Sequence, residues 1–184
     1  MMTQGEERAV DVKTQPRLPV RASAPAEAWA MAHIQDVAAY ILHELGDMTS
    51  MKLQKLCYSY GYHLAWEERE LFPERFEAWA NGPVCPILYT VHRGLFQLRD
   101  GDLPGQPGVL DEGESESVDL VLSAYRELTA HQLSTMTHAE PPWRKARERA
   151  GAAELQRSSE PLLDEEIFEF FDALASVGAD EPES

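Results

Sequence analysis

The sequence predicts a mainly α, single globular domain of six or seven helices with a small β element. Three observations carry that expectation. Apolar residues recur at i, i+3, i+4 and i+7 in successive stretches, the spacing of helices with one buried face. Capping signals stand where those stretches begin. The one short extended candidate, Phe76 to Trp79, leads into an Asn81-Gly82-Pro83 turn signal.

The chain is organised around Met51 to Glu68, where Leu53, Leu56, Cys57, Tyr60, Gly61, Leu64 and Ala65 share one face of a helix. Lys52, Lys55, Ser59 and His63 form a polar stripe beside that face, and Tyr58 and Tyr62 cover the opposite flank. So little surface is left for water that this helix is expected at the centre of the domain. Its lysines either snorkel their stems over the core or belong to a recognition edge.

Before it, Ile34, Val37, Ala38, Ile41 and Leu45 predict a first amphipathic helix that Gly46 ends, and Thr49 or Ser50 caps the central one. So short a connection predicts a helical hairpin. After the turn, Pro86 suits the first turn of a third helix bearing Ile87, Leu88, Val91, Leu95 and Phe96. Arg99 to Glu116 is expected to be a long surface loop or loose hairpin. A fourth helix with Ser117 as cap carries Val118, Val121, Leu122, Tyr125 and Leu128. Thr129 and Gln132 have capping-box spacing, as do Thr137 and Glu140, and each pair is expected to start a helix. Ile167, Phe168, Phe170, Phe171 and Leu174 make the last helix, with Asp164, Glu165 and Glu166 at its positive end. Residues 1–28, interrupted by prolines, are expected to be a flexible arm, residues 29–176 the domain, and residues 177–184 a disordered tail.

Composition narrows the function. At 184 residues and 43% hydrophobic content the chain is long enough for a sizeable core. Its net charge of -16 repels a phosphate backbone and argues against a nucleic-acid partner; a basic protein or peptide is the more natural one. No apolar run reaches the ~20 residues of a membrane span, and no signal peptide is visible, so a cytoplasmic location is expected. Cys57 and Cys85 lack metal-ligand spacing and read as buried thiols.

No phosphate cradle, nucleophile elbow or zinc-helix motif is present, and no cofactor or metal is expected. Thr137, His138, Glu140 and Trp143 are the densest group of polar residues with conceivable roles. A hydrolase using His138 as base would need a nucleophile or metal that the sequence does not offer. The plainer reading has Thr137 and Glu140 capping a helix, His138 bonded to a turn and Trp143 in the core.

Three segments in order carry a resemblance. Met51-Lys-Leu-Gln-Lys-Leu-Cys-Tyr-Ser-Tyr-Gly-Tyr-His-Leu-Ala65, then Glu77-Ala-Trp-Ala-Asn-Gly-Pro-Val84, then Leu133-Ser-Thr-Met-Thr-His-Ala-Glu-Pro-Pro-Trp143 resemble the signature segments of the Panacea domain, the SocA-like or GepA-like phage-associated antitoxin family. The resemblance covers about residues 31–175. By position, Lys52, Lys55 and Tyr58 match the first segment, Gly82 and Pro83 the second, and Thr137, His138 and Trp143 the third; these are the candidate partner-binding residues. Cys57 and Ser59 stand where the family often has longer side chains.

The resemblance implies a helical domain without catalytic activity. It implies the antitoxin of a type II-like toxin–antitoxin module, of the kind found in bacteria, prophages and phages and tied to phage defence. Its expected partner is a cognate protein toxin encoded by an adjacent gene, with a small alarmone synthetase-like enzyme as one candidate, neutralised by direct binding. The alternative is a proteolytic adaptor delivering the toxin to a ClpXP-type protease. The arm and the Asp100 to Glu116 loop lie outside the family pattern and are the expected places for contacts particular to one partner.

Overall fold

The computed structural model describes residues 31–177 and is mainly α-helical, with two small antiparallel sheets. The expected arm at residues 1–28 and nearly all of the expected tail lie outside the described residues.

Helix α1 (Ile34–Leu45) buries Ile34, Val37, Ala38, Ile41 and Leu42, and the Asp36 carboxylate accepts from the His33 backbone N–H at its start. Gly46 ends it, donating its N–H to Leu42 O at 2.9 Å. Strand β1 (Met48–Thr49) pairs with β4 (Gln97–Leu98). The Thr49 hydroxyl then accepts from Lys52 N, which settles the cap of α2 (Ser50–Tyr58).

The long central helix is not continuous. It breaks at Ser59 and Tyr60 and resumes as α3 (Gly61–Glu67), because the amides of Ser59, Tyr60 and Tyr62 bond to carbonyls only three residues back. The break turns Gly61 against α8 (Asp164–Val177), so closely that a Cβ there would lie 2.1 Å from the Phe171 ring. Tyr58, Tyr62, Phe76 and Phe171 meet edge to face around this point, with centroids 4.8 to 5.7 Å apart. With α2 and α3 taken as one interrupted helix, the described residues hold seven, as the apolar periodicity predicts.

The expected extended piece is strand β2 (Glu77–Trp79), which after the turn pairs with β3 (Gly82–Val84) in an antiparallel hairpin. Its outer edge is covered: Ala78 N donates to Glu160 O, and Leu162 N to Phe76 O. Helix α4 (Pro86–His92) stops short of Leu95 and Phe96, which are exposed rather than part of a buried helical face; Phe96 retains 79% of its surface. The chain leaves α4 there to reach β4, whose pairing with β1 fixes its course.

The 99–116 segment is not a loose loop. Gln106 N donates to Asp36 Oδ1 at 2.8 Å, Leu103 is buried, and Gly105 lies against the α1 backbone, where a Cβ would sit 1.8 Å from Gln35 O. Gly105→Ala should therefore detach this segment and lower stability by about 1–2 kcal/mol, the scale of a lost buried hydrogen bond with its local packing. Unchanged urea unfolding and unchanged amide exchange at Gln106 would refute that account.

Helix α5 (Glu112–Tyr125) begins earlier than the expected cap at Ser117. Asp111 and Glu114 form a reciprocal capping box, while Ser117 is buried inside the helix and bonded to Gly113 O and His63. Helix α6 (Ala130–Ala139) starts at the expected Thr129–Gln132 box, and α7 (Pro141–Arg149) follows after Glu140 alone.

Candidate functional site

The three sequence segments singled out above converge on one buried polar centre. Lys55, on the inner face of α2, is only 2% exposed and donates from Nζ to Pro83 O at 2.8 Å. It neither snorkels to water nor lies on an exposed edge, because the β2–β3 hairpin closes over it. Burial pushes its ammonium down to about pKa 7, with the Glu140 carboxyl pulling the other way. Glu140, buried between α6 and α7, also acts on the hydroxyls of Tyr58, Tyr62 and Tyr125, and burial raises each of those phenols.

Gly82 has φ +103°, and a Cβ on it would lie 2.9 Å from both Lys55 Nζ and Thr137 Oγ1. The position needs glycine for its backbone and for its lack of a side chain. Thr137 does not start a helix. It lies within α6, buried, with its hydroxyl donating to Ser134 O; Glu140 stands at the junction of the two helices without capping either through its side chain. His138 rests against the Ala80 and Asn81 backbone and packs on Trp143 with centroids 4.5 Å apart. Burial, then the charges of Lys55 and Arg147, hold its imidazole below the usual histidine range. Trp143 is half buried and donates its indole N–H to Trp79 O at 2.9 Å. Lys55, Tyr58, Gly82, Pro83, Thr137, His138 and Trp143 are thus one constellation. Lys52 is not part of it: its ammonium reaches the Arg126 carbonyl at 2.6 Å, at the end of α5.

An open groove of about 500 Å³ lies over this centre, walled by α2, the hairpin, α4 and residues 155 and 157. Its floor is fixed by Gln54, which accepts from Cys85 N at 3.0 Å and bonds His92 Nε2 at 3.0 Å. Trp79 forms one side, met edge-on by Tyr89 at 5.0 Å and covered by the Arg157 guanidinium at 5.3 Å.

Sequence reasoning assigned no role to Arg157, Arg93, Gln54 or Arg147. Arg147 is in fact buried and donates to Ala78 O, Gln156 O and Glu154 O, which holds the 153–157 segment beside the hairpin. Arginines on one face of α7 were the available signal, but only tertiary packing shows which of them turns inward. No group of three or more His, Cys, Asp or Glu side chains converges to hold a metal ion among the described residues.

The match that decides the family spans residues 51–144, just over half of the chain, and all seven members of the constellation fall inside it. It is to the family described as antitoxin SocA-like, Panacea domain. The chain belongs to that family. No curated protein and no solved structure matches it individually. In this SocA-like Panacea domain the residues of the constellation are the joints between α2, the hairpin and the α6–α7 corner. The antitoxin family implies a toxin partner in general terms, and no helix among the described residues is long and apolar enough to cross a membrane.

Proposed function

We propose that this chain is the antitoxin of a type II-like module and neutralises a cognate protein toxin in the cytoplasm by direct protein–protein binding, without catalysis. Family membership over residues 51–144 carries the reading. Two features of the molecule support it. The matched segment builds most of an open groove instead of a closed catalytic pocket. The net charge of -16 also suits fast capture of a basic partner, such as a nucleotide-using enzyme with a cationic substrate cleft.

The test is co-expression with the product of the adjacent reading frame. Growth arrest by the neighbour, relieved by this chain together with a co-purifying complex, is the expected result. Relief accompanied by protease-dependent loss of the neighbour would replace sequestration by delivery to a ClpXP-type protease. A neighbour that arrests growth whether or not this chain is present would overturn the proposal. For the purified complex, association should slow about tenfold or more between low and high salt, whereas dissociation changes less.

A further inference from the structure

The groove beside Lys55 has a charge opposite to that of the chain. The sequence carries 32 Asp and Glu residues against 16 Lys and Arg, yet among the described residues no Asp or Glu lines the groove. Lys55, Arg93 and Arg157 do. Arg93 and Arg157 are exposed, and neither has a carboxylate partner among the described residues. The nearest walls spend their own acids inward: Glu77 accepts the Trp79 indole N–H at 2.8 Å, and Glu140 faces Lys55 from beneath. Arg157 lies over the Trp79 ring at 5.3 Å, a cation–π contact that restrains it while its fork of donors suits a planar carboxylate.

The rim adds apolar surface. Met51 is 40% exposed and Leu155 84% exposed, and both line the groove. This pattern of exposed arginines beside exposed apolar side chains fits a peptide better than a nucleotide. Arg157 occupies a face of Trp79 that a base would need for stacking. The first amides of α2, which could have cradled a phosphate, are already committed: Ser50 N to Phe96 O, and Lys52 N to Thr49 Oγ1.

We propose that this groove binds an acidic segment of the partner protein, seating a carboxylate between Arg93 and Arg157 and an adjacent apolar side chain against Met51 and Leu155. The inference rests on the protein-binding reading above and adds the chemistry of the contact. The chain's overall negative field would draw in a basic partner, and the groove would then select the acidic segment that anchors it.

The test pans a random dodecapeptide phage library against the full chain and against an Arg93→Glu, Arg157→Glu double variant, then measures a selected synthetic peptide by fluorescence anisotropy. Both arginines are exposed, so the variant should keep its native circular dichroism and melting temperature. Peptides enriched in Asp or Glu next to aliphatic or aromatic residues are expected, bound at least about 30-fold more weakly by the double variant and normally by Arg126→Glu, a matched reversal outside the groove. Selected peptides with no acidic enrichment, or equal binding by the double variant, would overturn the proposal. ATP that binds and is lost in the double variant, while acidic peptides fail to bind, would overturn it in favour of a phosphate ligand. In the co-expression assay, full neutralisation by the double variant would sink the groove and leave the antitoxin reading standing. A harmless neighbour alongside arginine-dependent acidic peptides would do the reverse.

Discussion

Gly82→Ala should lower the stability of the domain by about 2–4 kcal/mol, combining the strain of a non-glycine residue at positive φ with the displacement of a buried charged group. The added methyl would lie 2.9 Å from Lys55 Nζ and 3.1 Å from its Cε, with Thr137 Oγ1 equally near on the other side. The lysine cannot swing clear into water, because Pro83, whose carbonyl holds it, is the next residue of the same strand. Either the hairpin lifts from α2 and α6 or the ammonium loses its acceptor. Urea unfolding followed by tryptophan fluorescence measures the loss, and nuclear magnetic resonance shifts at Lys55 and Thr137 locate it. An unfolding midpoint equal to wild type would mean that the hairpin does not sit on Lys55 as described.

Lys55→Met should change how stability depends on pH. In the folded domain the Lys55 ammonium is pushed down to about pKa 7, from an ordinary value of 10.5 in the unfolded chain. Between those values the unfolded state holds a proton that the folded state has released, so folding stability rises with pH. The penalty of burying the ammonium is fully present below pH 7 and is relieved as the pH climbs. From pH 7 to pH 9 the wild type should gain about 2–3 kcal/mol relative to the Met variant, at about 1.4 kcal/mol per pH unit. Above this window the buried tyrosines confuse the comparison, since Tyr58, Tyr62 and Tyr125 are all raised and oppose unfolding less as the unfolded phenols ionise. Parallel stability profiles for the two proteins from pH 6 to pH 9 would show instead that Lys55 stays charged in the fold, held by Glu140.

Both predictions concern buried residues inside the matched span. They act on any partner only by shaping the wall of the groove. The residues proposed to touch a partner, Arg93, Arg157, Met51 and Leu155, are exposed, and the last of them stands in a stretch with no periodicity of its own. A family whose members share a scaffold but meet different toxins would need this division, with the joints in the core and the reading residues at the rim.

How far the chain could be read without its fold depends on the range of the interaction concerned. Helical periodicity, the Thr49 and Thr129 caps, the glycine of the hairpin turn and the acidic start of α8 are decided by neighbours within about four residues, and all are present as expected. The cap of α5 was misplaced because Asp111 and Glu114 compete for the same role as Ser117, and propensity alone does not choose between them. Thr137 and Glu140 have the spacing of a capping box, but α6 runs on through Thr137 until Pro141 and Pro142 stop it, and Glu140 is left as a corner.

The helical class, the order of the helices, the turn at Gly82 and the family are all legible in the string of residues. Each follows from local periodicity, or from motifs that survive as strings of letters. It took the packing of whole elements to break the central helix at Ser59, to place Lys55 inside under Pro83, to bind the 99–116 segment to α1, and to bring Arg93 and Arg157 to the lining of one groove. Those outcomes depend on residues ~30 to 100 positions apart, whose side chains are brought together by the packing of whole elements, and no local pattern encodes which face of a helix will be covered and by what.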